Sequence, residues 1–426
     1  MGTGQLQKAV RWYPPSYDIR VEDVPVPLIQ DPDDAIVKVK LAALCGADLH
    51  IYRGHGGVEK IHTCGHEFIG EVVALGSAYG THAKDRPLLY STLKVGDKVV
   101  SPFTINCGEC QACRFGFTAR CAHSTLFGSP ALEGGQAQYI RVPKAGATLF
   151  NLSDPKTWPN GTPTSLADSS LLMLADILPT GVFAALQCLS HPKVQPVLTG
   201  KPWPLSLHPN SATTDSAPLT QEDVRLTVAI IGLGPVGICT AVSLLDMLAA
   251  RRHPHRIVGV DLLESRREKM RAVYAAIDQE GRGLGEFIAC SPEEAKTTLG
   301  KWTQGVGCDA VIEVVGHNSA LTLAYELVKA FGVITSVGVH GEPQLPFTGR
   351  QMYNKNVSFD FGRCPARAMF PMAFEILGKF KRQDVFGQVG ERASLVDRIT
   401  DFGQASESYR AFDKGEVGKI IFDPWK

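Results

Sequence analysis

The stretch that most narrows what this chain can fold into is VAIIGLGPVGICTAV, starting at Val228. An apolar run ends at a G-x-G-x-x-G pattern made of Gly232, Gly234 and Gly237, with Pro235 and Val236 inside it, and a helical run follows. The first glycine permits a tight strand-to-helix turn, the second lets a ligand approach the backbone, and the third lets helix and strand pack closely. Around this turn, from Val228 to about Val339, apolar strands alternate with helical segments. LTVAIIGLG leads to a helix ending near Arg252, RIVGVD to a helix over Ser265–Ala276, and CDAVIEVVG to a helix and then GVITSVGV. Such alternation implies a parallel sheet covered on both faces, an α/β doubly wound Rossmann unit.

A turn of this kind places phosphates on the helix N-terminus. Asp261 ends the next strand in IVGVDLLESRR, where a carboxylate accepts hydrogen bonds from ribose hydroxyls and repels a 2′-phosphate. The motif therefore favours NAD, while Arg266 and Arg267, close behind, keep NADP possible.

The first third of the chain reads differently. DAIVKVKLAAL and HEFIGEVVALG alternate as strands do, LKVGDKVVSPF and GGQAQYIRVP follow with glycine punctuation, and the whole predicts an irregular β-rich domain. Near Leu171 the stretch LLMLADILPTGVFAALQCL takes helical spacing, with a break expected at Pro179. From Gln344 the tail returns to mixed structure with one helix around MFPMAFEILGKF. The expected organisation is a β-rich catalytic domain over 1–180, a nucleotide-binding domain over 181–343, and a return to the first domain over 344–426. Residues 78–92 and the proline-rich 191–223 read as insertions, the second as an exposed connector.

A chain of 426 residues can build two or three such cores. Lys+Arg and Asp+Glu both total 43, so no basic footprint for nucleic acid or an anionic membrane is present. No stretch approaches the ~20 apolar residues of a membrane span, and the N-terminus lacks the pattern of a secretory signal. A cytoplasmic, reducing address follows, in which clustered cysteines point to metal rather than disulfides.

Four of the eleven cysteines fall in NCGECQACRFGFTARC, within a lobe over 106–122. Cys107, Cys110, Cys113 and Cys121 can close a tetrahedral thiolate shell around zinc without distant residues. A saturated, anionic shell is a poor Lewis acid, so the lobe is expected to hold structure and do no chemistry. Unliganded surface thiols or an iron–sulfur cluster are the alternatives; the Cys-Pro ending of ferredoxin-type runs is missing.

A quieter set lies elsewhere. LCGADLHIY contributes Cys45, Asp48 and His50, TCGHEFIGEV contributes His66 and Glu67, and LADILPTG contributes Asp176 and Thr180. Cys45, His66 and Asp176 form a possible three-ligand zinc site, one thiolate and one carboxylate neutralising the ion and a fourth position staying open for water or a substrate oxygen. Singly, each has an ordinary reading as core thiol, satisfied histidine or helix-cap carboxylate. Their joint occurrence beside a nucleotide turn favours the metal.

With G-H-E at Gly65–Glu67, the four-cysteine lobe, D-x-x-x-T-G at Asp176–Gly181 and the glycine turn, the chain resembles the zinc-containing medium-chain dehydrogenase/reductases, alcohol dehydrogenases with a GroES-like domain. CGADLHIYRG, ADILPTG and FGRCPAR look closest to the formaldehyde-dehydrogenase-like branch. The resemblance spans almost the whole chain apart from the two insertions. It implies a GroES-like β-rich catalytic domain beside the Rossmann unit, two zinc ions per chain (one catalytic, one structural), and hydride transfer between NAD(P) and an alcohol/aldehyde or ketone pair. It further implies that Cys45, His66 and Asp176 hold the catalytic zinc, that Glu67 coordinates it transiently, and that His50 passes the proton to solvent, with Asp48 in the same catalytic set. Thr180 is expected beside the nicotinamide, the backbone near Val339 at its carboxamide, and Lys419 facing the pyrophosphate. A homodimer or homotetramer is expected, with the sheet edge near GVITSVGV as a candidate interface.

One departure stands out: the family pattern C-G-[ST]-D-x-H has a hydroxyl at its third place, where this chain has Ala47. A methyl group cannot relay a proton, which leaves a bridging water, a substitute side chain or a weakened dehydrogenase. An NADPH-dependent aldehyde or enone reductase is the alternative within the superfamily, although enone reductases usually lack the metal ligands present here. A non-catalytic nucleotide-binding zinc protein is the alternative of another class.

Overall fold

The computed structural model describes residues 4–55, 57–80, 85–153, 166–210, 217–277, 284–342, 344–380, 385–387 and 389–426. Parts of both expected insertions, 81–84 and 211–216, lie outside the described residues. The chain divides into two compact units, one formed by Met1–Pro179 with Pro365–Lys426 and the other by Thr180–Cys364.

The first unit is β-rich. Its main sheet runs in the order 396–400, 419–422, 35–44, 67–75, 98–101, 150–151, with 139–142 also pairing 35–44. In the strand Ala35–Leu44, Val37 and Val39 are buried while Lys38 and Lys40 between and beyond them are exposed, the alternation of a sheet with one face on the core. Phe68 and Phe127 meet edge to face at 5.2 Å inside that core. A smaller sheet pairs Leu6–Tyr13 with Asp18–Pro25 and with His62–Thr63.

The second unit carries six parallel strands in the order 285–290, 255–260, 226–231, 308–313, 328–336, 358–361. Leu226–Ile231 and Cys308–Glu313, at its centre, are buried along their whole length, as parallel strands covered on both faces must be. The architecture is thus α/β: a doubly wound Rossmann sheet plus a GroES-like β-rich unit.

Three particulars differ from the sequence reading. Ser358–Phe361 adds a sixth strand beside Val328–Ser336, so GVITSVGV is interior and not a sheet edge, and the second unit runs on to Cys364 rather than 343. Gly285–Cys290 is an edge strand whose half-exposed pattern hid it. The helical break falls at Asp176 (φ −148°, ψ −69°), between the 3-10 turn Met173–Ala175 and the helix Ile177–Ser190. Pro179 sits in the first turn of that helix, where its missing N–H removes no helical hydrogen bond.

Candidate functional site

Two adjacent strand ends and one broken helix build the site in the first unit. The strand Ala35–Leu44 delivers Cys45, and its neighbour opens at Glu67, which lies opposite Ala43. Gly65 precedes His66 at φ +90°, and a Cβ there would lie 2.5 Å from the Gln136 side chain, so the approach to His66 requires glycine. Asp176 completes the group because the break in the helix leaves its backbone outside helical space.

Among the described residues, Cys45, His66, Glu67 and Asp176 offer ligand atoms that all lie within 4.8 Å of one another. Cys45 Sγ is 3.5 Å from Asp176 Oδ2, and His66 Nε2 is 3.2 Å from the same oxygen. His66 Nδ1 faces Asp48 Oδ1 at 3.1 Å, and Asp48 Oδ2 accepts the Cys45 backbone N–H at 2.9 Å. Asp48 therefore acts through the donors. A carboxylate on the far nitrogen of a ligating histidine fixes the ring and leaves the near nitrogen free for a metal.

Burial, then the carboxylates of Asp176 and Glu67, push the Cys45 thiol up to about 12. Burial alone would lower His66, but Asp48, Cys45 and Asp176 outweigh it and raise the imidazole well above its ordinary range. A thiol, an imidazole and two carboxylates confined away from water fit a divalent cation, whose charge offsets theirs. One oxygen of Glu67, Oε2, is buried without a hydrogen-bond partner.

The four cysteines of the lobe also converge within 4.8 Å. Cys107 Sγ lies 3.5 Å from Cys121 Sγ and 4.0 Å from Cys113 Sγ, spacings suited to one tetrahedral ion. Backbone N–H groups of Glu109 and Cys110 point at Cys107 Sγ, and those of Cys107 and His123 at Cys121 Sγ. Such donors stabilise thiolates, and backbone hydrogen bonds at Ala122 and Cys113 draw Cys110 down to about 6.

In the second unit the glycine turn has the form its spacing requires. Gly232 takes φ +98°, and a Cβ on Gly237 would stand 1.8 Å from the Gly232 carbonyl oxygen, so the third glycine is obligatory. The helix Pro235–Ala250 starts with Pro235 at its first position, with Gly234 before it and Val236 next. Asp261 is buried, and its two oxygens accept the N–H groups of Leu233 (2.8 Å) and Leu263 (2.9 Å). Arg266 Nη1 stands 3.5 Å from Asp261 Oδ2 and 3.9 Å from where a Gly234 Cβ would be. Arg267 is held by Glu264 and by the carbonyls of Asp261 and Leu262.

Family comparisons agree with this geometry. Residues 31–154 match the alcohol dehydrogenase GroES-like domain, and residues 236–377 match the zinc-binding dehydrogenase domain. Zinc-type alcohol dehydrogenase B of Aspergillus flavus is 34% identical over 426 aligned residues, covering 99% of this chain and 82% of the relative. The chain belongs to the zinc-type alcohol dehydrogenase family. A medium chain reductase/dehydrogenase of Acremonium sp. is 34% identical over 81% of this dehydrogenase and 98% of its own length. Alcohol dehydrogenase TADH from Thermus sp. ATN1 superposes with a TM-score of 0.72 at 25% identity, covering 98% of this chain and 99% of that one. This dehydrogenase is accordingly a zinc-dependent oxidoreductase of the hydride-transferring type.

The structure brings Cys45, His66, Glu67, Asp176 and Asp48 together, and Gly232, Gly234, Pro235, Val236, Gly237, Asp261 and Arg266 lie in the second unit, whereas Lys419 lies in the first. His50 lies in the short helix Asp48–Tyr52, half-buried, its basicity lowered by burial and then by His55 and Arg53. Thr180 is buried in the helix Ile177–Ser190. Val339 is 51% exposed, and its backbone abuts Gly316, where a Cβ would come within 2.5 Å of the Val339 carbonyl oxygen. Lys419, expected to face the pyrophosphate, is fully buried and its ammonium donates to Glu67 Oε1 at 2.6 Å.

This dehydrogenase also uses a residue that sequence reading passed over. Glu313 is buried at the end of its strand, where Oε1 accepts the N–H groups of Val315 and Gly316, each at 2.7 Å. Its Oε2 accepts the Ser336 hydroxyl at 2.6 Å, with His340 Nε2 at 3.2 Å. The carboxylate thereby ties the loops after two neighbouring strands. The only signal was an acid set inside the apolar run AVIEVV.

Proposed function

We propose that this dehydrogenase interconverts a small alcohol with its aldehyde or ketone, with Cys45, His66 and Asp176 holding a catalytic zinc and the four-cysteine lobe a structural one. The observation that supports it is the convergence of Cys45, His66, Glu67 and Asp176 within 4.8 Å, with Asp48 on the far side of His66. Zinc bound there supplies Lewis acidity toward the reacting oxygen, and a bound nicotinamide supplies the hydride acceptor or donor. The chain's part is to present the thiolate, imidazole and carboxylate from rigid elements, oriented through Asp48. His50, whose lowered basicity keeps it neutral near pH 7, accepts the proton released on alcohol oxidation and passes it to solvent. With Ala47 where the resembled family pattern has a hydroxyl, a water bridges to His50 in this reading.

The turn at Gly232–Gly237 and Asp261 favour NAD. Arg266, beside Asp261 and the turn, supports a second reading in which NADP(H) is also accepted and the reductive direction used. Assembly as a homodimer or homotetramer in the cytoplasm completes the proposal. No single helix among the described residues is long and apolar enough to cross a membrane.

The test is metal analysis with a screen of alcohols and aldehydes against both cofactors, with and without a strong chelator. Two zinc ions per chain and chelator-sensitive, alcohol-dependent NAD reduction are expected. One zinc per chain, with no turnover of any alcohol or aldehyde, would sink the proposal.

A further inference from the structure

The ion pair between Lys419 and Glu67 is the strongest feature outside the proposed ligand trio. The strand Lys419–Phe422 pairs antiparallel with Ala35–Leu44, Ile420 opposite Leu44, and Ala43 lies opposite Glu67 on the other side. Three adjacent strands thus bring Lys419, Cys45 and Glu67 to one end of the sheet. Both side chains of the pair are 0% exposed, and Lys419 Nζ stands 2.6 Å from Glu67 Oε1.

The second oxygen, Glu67 Oε2, has no hydrogen-bond partner although it is buried. A carboxylate oxygen removed from water and left unpaired is costly to keep, so an ordinary structural salt bridge accounts for only half of this carboxylate. Glu67 also belongs to the group of donors within 4.8 Å. Free of Lys419, its charge would be drawn to a cation held by Cys45, His66 and Asp176, filling the position that substrate oxygen needs.

We infer that Lys419 is a positioning residue that grips Glu67 through one oxygen and keeps it out of the metal's shell, with the other oxygen in reserve. The inference rests on the proposed metal site. Lys419 touches neither substrate nor cofactor in this role. It sets how many protein ligands the ion has, and so whether a coordination position stays open. A lysine suits this task because its ammonium is a compact charge that can bind one oxygen of a carboxylate and leave the other.

The test loads the full-length protein with cobalt in place of zinc and reads the visible spectrum and the rate of release to a chelator. Differences between variants report the catalytic site, because the four-cysteine lobe is common to all. Lys419→Met is expected to change the visible bands, as a carboxylate oxygen of Glu67 takes the position otherwise left open, and to slow cobalt release roughly 10-fold. Lys419→Arg is expected to keep the spectrum of the unaltered protein. Lys419→Met combined with Glu67→Gln removes both charges and is expected to restore that spectrum too.

An unchanged spectrum and release rate in Lys419→Met would overturn the role of Lys419, as would a Lys419→Met effect that persists undiminished in the double variant. If Lys419→Met alone does not fold, the double variant decides. A spectrum unlike that of the unaltered protein would show Glu67 already in the shell and overturn the inference. Two cobalt ions per chain in the unaltered protein keep the proposed site intact whatever Lys419 does, whereas one overturns the site and the inference together.

Discussion

His66 Nδ1 lies 3.1 Å from Asp48 Oδ1, and the other oxygen of that carboxylate accepts the Cys45 N–H at 2.9 Å. One buried acid therefore aligns Cys45 and His66, two of the proposed metal donors, at the ends of adjacent strands. Asp48→Asn keeps the shape but loses the charge that selects the histidine tautomer. It is expected to weaken zinc at the catalytic site by about 10–100-fold, measured by chelator competition, with the structural zinc retained. Unchanged catalytic-zinc affinity in Asp48→Asn would remove Asp48 from the site.

The lobe makes a separate claim, that its zinc serves stability alone. Backbone hydrogen bonds at Ala122 and Cys113 favour the Cys110 thiolate. Cys110→Ser should lose one zinc per chain and lower Tm by roughly 2–8 °C, the shift expected for a loss of about 1–2 kcal/mol in a domain of this size. The kcat of the protein that remains folded below the new transition should be close to that of the unaltered enzyme. A large fall in kcat with Tm unchanged would give the lobe a catalytic role it is not expected to have.

Asp261 illustrates how position and partners together set a cofactor prediction. Its carboxylate is held by the N–H groups of Leu233 and Leu263, so it braces the glycine turn in addition to the ribose-binding role proposed for it. Asp261→Ser should shift the kcat/KM ratio toward NADP by roughly 10-fold or more, the worth of a charge-assisted hydrogen bond, with Arg266 free to meet a 2′-phosphate. Adding Arg266→Ala should reverse most of that gain. Initial rates with both cofactors check it, and a Tm measurement registers the loss of the brace.

What could be read beforehand followed from local chemistry. The glycine turn, the four-cysteine lobe and the central strands were legible because steric limits, ligand spacing and complete burial each leave a mark within a few residues. The strands Gly285–Cys290 and Ser358–Phe361 were not, because they are short edge strands with mixed exposure. The break at Asp176 was displaced to Pro179, since proline announces itself in sequence whereas an aspartate outside helical space does not. The pairing of Lys419 with Glu67 spans most of the chain and is set by strand register, which no local pattern encodes. Glu313 escaped for a related reason: its partners are backbone N–H groups, which every residue has.

Ala47 offers the sharpest test of the proton path. It precedes the short helix that carries His50, and no hydroxyl stands at this point of the chain. If a water performs the relay, Ala47→Ser should raise kcat for alcohol oxidation by about 10-fold, within the range that general acid–base assistance contributes. The pH profile carries an independent sign. Burial lowers the His50 pKa, so the imidazole is neutral and able to accept a proton above that depressed value, and activity should fall only below the ordinary histidine range of ~6.5. Stability should follow the same direction: the buried neutral imidazole favours the fold at higher pH, and that contribution is lost as pH drops through the folded-state value. His50→Gln should flatten the acid limb and lower kcat, whereas Ala47→Ser should keep the limb and lift the plateau. An Ala47→Ser enzyme with the same kcat and the same profile would show that the proton leaves by a route that never used this position.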